Sequence, residues 1–279
     1  MTAYPFFLTS VFAEKTWAGD PLIVFDVPDW PDEATLQMMA YQMNASEVAF
    51  LHRASGEVRF YHPQFSLPFS AKGLLGAAAV MQQSNSETRF KLHCLSGHYS
   101  LLFANGSIDL QCVAGCTRPS IRGQVDIAYA LGIESHAIIA PLQLVDTGLE
   151  QLMVQVRSRQ VVLQARPHPA LLADYAQSPK QVAQAVIWHR EGDLITMRSF
   201  IADHFNIYEN FGDGTAALNL ATGYLAGGAR LPFDVRIEQG HTIERILSRL
   251  SILFLQIDNK LDLHLKAKVS LLGSGVLQV

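Results

Sequence analysis

Ala71-Lys72-Gly73-Leu74-Leu75-Gly76-Ala77-Ala78-Ala79-Val80 is small and apolar almost all round. A helix without a polar stripe has to be enclosed rather than laid on a surface. The second half of the chain holds a counterpart, Asp213-Gly214-Thr215-Ala216-Ala217-Leu218-Asn219-Leu220-Ala221, and each segment follows a Phe, Phe69 or Phe211. A hairpin signal precedes each one. Val48 to His52 and Val58 to His62 flank Ala54-Ser55-Gly56; Val182 to His189 and Leu194 to Ile201 flank Arg190-Glu191-Gly192-Asp193. The pattern predicts an α+β fold of two pseudo-symmetric lobes, each a curved, mostly antiparallel sheet or barrel around a central helix. The competing reading is two unrelated strand, loop and helix segments.

Outward from these segments, Phe6 to Phe12 and Leu22 to Phe25 read as strands around a turn at Trp17-Ala18-Gly19-Asp20-Pro21. A helix follows, with Asp29 as its cap and Pro31 in its first turn. Leu36, Met39, Ala40 and Met43 fall at i, i+3, i+4 and i+7, one buried stripe. Cys116-Thr117-Arg118-Pro119-Ser120, polar and with a Pro, is the best linker candidate. The expected lobes are therefore residues 1–118 and 119–266. The last strand, around Gly273-Ser274-Gly275, could pair with either lobe by pattern; residues 267–279 are assigned to the N-terminal one.

Composition excludes several classes. Of 279 residues 49% are apolar and 16% charged, which supplies a packed core and rules out intrinsic disorder. A formal charge of −4 lacks the basic excess of a nucleic-acid binder. The apolar runs, such as Gly73 to Met81, fall short of the roughly 18 to 20 residues that span a bilayer. The N-terminus has no basic n-region, its first Lys being Lys15, and three cysteines fit free thiols in a reducing compartment. A cytoplasmic protein is expected, with neither nucleic acid nor membrane as partner.

Phosphate-loop, dinucleotide, zinc-hydrolase and nucleophile-elbow motifs are all absent, and Cys112 and Cys116 have no second pair with which to hold a metal. What is left is Met43-Asn44-Ala45-Ser46-Glu47-Val48-Ala49-Phe50, a carboxylate where an amphipathic helix meets an apolar strand. Partial desolvation raises a carboxyl pKa toward the range useful for proton transfer; the plain alternative is a solvated Glu just past a helix. The other features are the helix starts Ser70-Ala71-Lys72-Gly73 and Gly212-Asp213-Gly214-Thr215. Under pseudo-twofold symmetry both point at one cleft and favour an anion there. Their glycines would otherwise serve close packing alone.

These segments together resemble the phenazine-biosynthesis PhzF-like family, which shares the diaminopimelate epimerase fold. Ala18-Gly19-Asp20-Pro21-Leu22 is similar to its Gly-Asn-Pro signature and Asn44-Ala45-Ser46-Glu47-Val48-Ala49-Phe50 to its Asn-x-Ser-Glu-Thr-x-Phe. Leu67 to Gly76 resembles Leu-Pro-Phe-Ala-Gly-His-Pro-Thr-Leu-Gly, and Glu209 to Ala216 resembles Glu-Asp-Pro-Ala-Thr-Gly-Ser-Ala. Arg198-Ser199-Phe200 is similar to Arg-x-Phe, and Glu244-Arg245-Ile246-Leu247 keeps only the Arg of Gly-Arg-Pro-Ser. The departures are chemical: Lys72 stands at the family's His, Asn210 at its Asp and Thr215 at its Ser, while Glu47 is kept. Cys94, Cys112 and Cys116 fall outside the motifs, so a two-cysteine racemase is not expected.

The resemblance implies a cofactor-independent isomerase or epimerase that moves a proton on a small carboxylated substrate. Glu47 and Lys72 would be catalytic, and Asn210, Gly73, Gly214 and Thr215 would bind substrate. A Schiff base on Lys72 is a further option. The alternative is a catalytically degenerate relative that binds a small ligand without turning it over. The family's habit also implies a homodimer, for which no interface is marked in the sequence.

Overall fold

The computed structural model describes residues 2–84, 86–178, 182–228, 230–242 and 250–279. It divides into two compact units, residues 1–112 with 264–279 and residues 113–263. The divisions fall before the positions expected at 118/119 and 266/267. Cys116–Pro119 is a strand rather than a linker, antiparallel to the end of Ile138–Asp146. Arg118 helps to seat it, through two hydrogen bonds of 2.7 Å to the Glu150 carboxylate.

In the first unit Ala3–Val11 lies between Val269–Gln278 and Asp20–Asp26, antiparallel to both. The C-terminal strand thus belongs to this unit. Asp20–Asp26 then runs parallel to Val48–His52, a step that needs a crossover, and the Glu33–Met43 helix provides it. Val48–His52 and Glu57–His62 form a hairpin. After the Ala71–Gln82 helix the chain returns with Arg89–Cys94, parallel to Glu57–His62, and continues into Gly97–Ala104.

The second unit repeats this sequence of pairings. Cys116–Pro119, Ile138–Asp146 and Glu150–Val156 are antiparallel; a helical crossover through Arg159–Gln164 and Pro169–Tyr175 leads to Ala183–Glu191, parallel to Glu150–Val156. Ala183–Glu191 and Leu194–Ala202 form the hairpin. The Gly214–Ala226 helix then precedes Phe233–Gln239, parallel to Leu194–Ala202, and Ser251–Ile257 closes antiparallel to it. Shared pairing order makes the two halves an internal repeat.

Both central helices are enclosed, as their composition requires. Residues 71–78 of the first are all buried, and it packs on strands from Ala3–Val11 through Arg89–Cys94 as well as on Val269–Gln278. Residues 214–222 of the second are likewise buried. The first unit also buries an aromatic stack on its other sheet face: Phe25 lies 5.2 Å from Phe50, which meets Tyr61 edge-on at 5.4 Å. Leu36, Met39 and Ala40 of the Glu33–Met43 helix close over it. Among the described residues no helix is long and apolar enough to cross a membrane.

That helix starts later than expected. Pro31 biases Trp30 toward extended backbone, so Asp29 cannot serve as its cap. Asp32 takes the place, accepting the Thr35 N–H at 2.7 Å. Asp32→Ala should destabilise the helix start, read as a lowered urea midpoint without a change in slope.

Candidate functional site

Glu47 is held by what precedes and follows it. Asn44 ends the helix in the left-handed region at φ 48°, its N–H donating to Ala40 and Tyr41 carbonyls, and Val48 is locked between Ile23 and Tyr61 in the sheet. The carboxylate between these fixed points is buried, with the residue 7% exposed. The solvated alternative is therefore set aside.

Lys72 is buried as well. Its Nζ donates to Asp20 Oδ2 at 2.8 Å and to Ser46 Oγ at 3.2 Å, and stands 3.7 Å from Glu47 Oε2. Asp20 is completely buried. It sits opposite Val11 at the start of its strand, where Gly19 lets the chains approach: a Cβ on Gly19 would lie 2.0 Å from the Val11 carbonyl oxygen. Three ionisable side chains from three separate segments thus share one site, with two carboxylates on one ammonium.

Gly73 brings the helix start to this cluster. A Cβ there would fall 2.3 Å from the Phe60 ring and 2.8 Å from Glu47 Oε1, so close packing alone demands glycine. Its N–H donates to the Ser70 cap at 2.9 Å. Gly73→Ala should destabilise by about 1–3 kcal/mol through overpacking, visible as a lowered melting temperature. The Glu47 carboxylate lies against the positive end of the helix, a favourable placement for an anion.

In the second unit Asp213 caps the Gly214–Ala226 helix through the Ala216 N–H at 2.9 Å. Its other oxygen accepts from Ser199 Oγ at 2.6 Å and Gln151 Nε2 at 2.9 Å, while Gln239 clasps its backbone. Asn219 extends this ladder to Gln151, Leu149 and Thr147. Gly214 and Thr215 are buried in the first turn, and Asn210 is half-buried opposite Ser199. Arg198 is saturated by Glu209, at 2.8 Å through each of two nitrogens, and by the Val162 and Ala165 carbonyls. The Glu244-Arg245-Ile246-Leu247 segment lies outside the described residues.

Asp20 is the residue that motif reading passed over. The signal was present: Asp20 occupies the Asn position of the Gly-Asn-Pro signature, and Lys72 occupies the His position. The two departures touch. The buried Lys72 cation is balanced by the buried Asp20 anion.

The family model described as phenazine biosynthesis-like protein matches residues 9–279. A curated relative, an uncharacterized isomerase of Pasteurella multocida, is 30% identical over all of this chain and 96% of its own length. The trans-2,3-dihydro-3-hydroxyanthranilate isomerase of Pseudomonas chlororaphis is 26% identical over 96% of this chain and 95% of its own. Among solved structures, a PhzF-family phenazine biosynthesis protein of Bacillus anthracis superposes with a TM-score of 0.80 over the whole of both chains at 15% identity. A protein described as a predicted epimerase of Pseudomonas aeruginosa gives 0.78 over 99% of each at 21% identity. With a match over nearly its full length and a shared fold, this chain belongs to the phenazine biosynthesis-like family.

Proposed function

We propose that this chain is an isomerase that relocates a proton on a small, cyclic or carboxylated substrate, without a bound cofactor, and that Glu47 carries the proton. The observation that supports this reading is the arrangement of Glu47, Lys72 and Asp20. Asp20 is tied to the ammonium by a short hydrogen bond, whereas Glu47 Oε2, at 3.7 Å, lies beyond hydrogen-bond distance of it. We assign the proton to Glu47, which stands farther from the ammonium than Asp20 does.

The charges support the same division of labour. Two carboxylates and one ammonium sum to −1; when Glu47 takes a proton from substrate carbon, the neutral Asp20–Lys72 pair is left beside it. The proton-loaded state leaves only a balanced pair in the protein, which keeps that state accessible. The electron pair from the broken C–H bond enters the adjacent unsaturated or carboxylated system. Delivery of a proton from the Glu47 carboxyl, after exchange with solvent, to a second carbon completes an isomerisation with no net redox change.

Lys72 then acts as a positioning cation that holds the cluster together and offers positive potential to a developing enolate. Its hydrogen bonds to Asp20 and Ser46 argue against the Schiff base, since a neutral amine nucleophile would leave Asp20 as a buried anion without that partner. Asn210, Gly214 and Thr215 are kept as substrate-binding candidates, with Asn210→Ala expected to raise KM more than it lowers kcat.

The test is solvent-deuterium incorporation, followed by mass spectrometry, into a panel of cyclic and carboxylated metabolites that includes trans-2,3-dihydro-3-hydroxyanthranilate. Label with wild type and none with Glu47→Gln is the expected result. Label that persists in Glu47→Gln would overturn the assignment. A compound that raises thermal stability yet acquires no label with wild type would instead favour the ligand-binding relative.

A further inference from the structure

Glu57, His93 and His98 stand in one row across the sheet of the first unit. Glu57 is the register partner of His93 across a parallel pair, and His93 is the partner of His98 across the antiparallel pair of Arg89–Cys94 with Gly97–Ala104. Directly opposed residues project from the same face of a sheet. The backbone beneath the row is pinned, since the His93 N–H donates to the Gly56 carbonyl at 2.9 Å.

The two imidazoles are close together and uncommitted. Their ring centres lie 5.2 Å apart, with the planes tilted by 30°. His93 is half-buried and His98 exposed, and neither ring makes a hydrogen bond among the described residues. Other histidines of this chain do hold partners: His52 has Ser55 and the Pro28 carbonyl, His189 the Val156 carbonyl and His264 the Asp109 carboxylate. The spacing of the free pair suits one shared ion. With a metal–nitrogen bond of about 2.0–2.1 Å in the ring plane, a ring centre stands about 3.2 Å from the ion, and centres 5.2 Å apart then subtend about 110° there, near the tetrahedral angle.

The neighbours fix how many ligands the protein supplies. The Glu57 carboxylate is already taken, by Trp30 Nε1 at 3.0 Å and Arg59 Nε at 2.9 Å. Cys94 alternates to the other face, where its Sγ lies 3.2 Å from Ser96 Oγ and that oxygen 2.7 Å from the Tyr99 hydroxyl. Among the described residues no group of three His, Cys, Asp or Glu side chains is placed to hold a metal. The protein therefore offers a pair of nitrogens, and water is left to fill the remaining positions.

We propose that His93 and His98 form a two-histidine site for a late first-row divalent ion of the zinc, nickel and copper class, each ring giving one nitrogen. Imidazole suits these ions, whereas magnesium and calcium favour oxygen ligands and should be rejected. The site is independent of Glu47 and of the isomerisation proposed above.

The test is calorimetric titration of the full chain, without an affinity tag, with zinc, nickel, copper(II) and magnesium chlorides. Saturation at one ion per chain is expected below about 100 µM for zinc and nickel, with copper tightest and magnesium silent. His93→Gln and His98→Gln should each weaken zinc about tenfold or more. Electron paramagnetic resonance of the copper-loaded chain should report two nitrogen donors in wild type and one in each variant. Should the half-buried His93→Gln fold poorly, the exposed His98→Gln still decides. Zinc should raise the melting temperature of wild type, and raise it less in His98→Gln. Glu47→Gln should bind as wild type does. No saturable binding of zinc, nickel or copper up to about 1 mM would overturn the proposal. So would zinc affinity unchanged in both histidine variants, magnesium binding as tight as zinc, or loss of binding in Glu47→Gln.

Discussion

Glu47→Gln should slow solvent-proton exchange by about 10²–10⁴-fold, the span that a positioned general acid/base contributes. The substitution preserves volume and one hydrogen-bonding oxygen, so the fit against Phe60 and Gly73 survives. Stability should change little, because Lys72 keeps its 2.8 Å bond to Asp20 when the more distant carboxylate is neutralised. The informative result is therefore a separation: kcat collapses while the melting temperature and the substrate KM hold. A variant that loses folding and turnover together would assign Glu47 to the structure of the site instead.

Lys72→Met carries the largest expected cost in stability. It leaves the fully buried Asp20 without the ammonium that now neutralises it, and breaking one side of a buried ion pair costs about 3–5 kcal/mol. Asp20→Leu alone removes the short 2.8 Å partner of the ammonium and should cost less, because Glu47 at 3.7 Å and Ser46 remain beside it. The double variant removes both charges and should recover much of the loss, since apolar replacements of a whole buried pair are often neutral or better. Denaturant unfolding of the four proteins closes the cycle, with an expected coupling of more than about 2 kcal/mol. Additive losses would mean that Lys72 and Asp20 are stabilised by different partners and that their pairing is incidental.

These two experiments separate the roles the cluster combines. Glu47 is expected to matter to rate and hardly to folding; Asp20 and Lys72 are expected to matter to folding first and to rate through the position of Glu47. The P. chlororaphis relative is an isomerase in name and similar in sequence over nearly its whole length. Here the proton-carrying chemistry is proposed to rest on Glu47 beside the buried Asp20–Lys72 pair.

Much of this protein was legible from local pattern. Two helices without a polar face had to be enclosed, and two hairpin signals ahead of them supplied sheets to enclose them; residues 71–78 and 214–222 are buried accordingly. Glu47 stood out because a helix ends and an apolar strand begins on either side of it, a junction visible within ten residues. Local pattern failed where two local signals competed. Pro31 moved a helix cap from Asp29 to Asp32, and Cys116–Pro119, polar enough to read as a linker, found a strand to pair with.

The chain alone thus determined the repeated plan, the enclosed helices and the family, and singled out Glu47 as the candidate carboxylate, because each depends on periodicity or on residues close in sequence. Only the tertiary structure decided that Asp20 and Lys72, 52 positions apart, form one buried pair beside Glu47. It also decided that Gly73 is required by the Phe60 ring. The reason is physical: the energy of a buried charge or an unpaired donor is set by what the fold brings within a few ångströms, and separation along the chain carries no record of that distance.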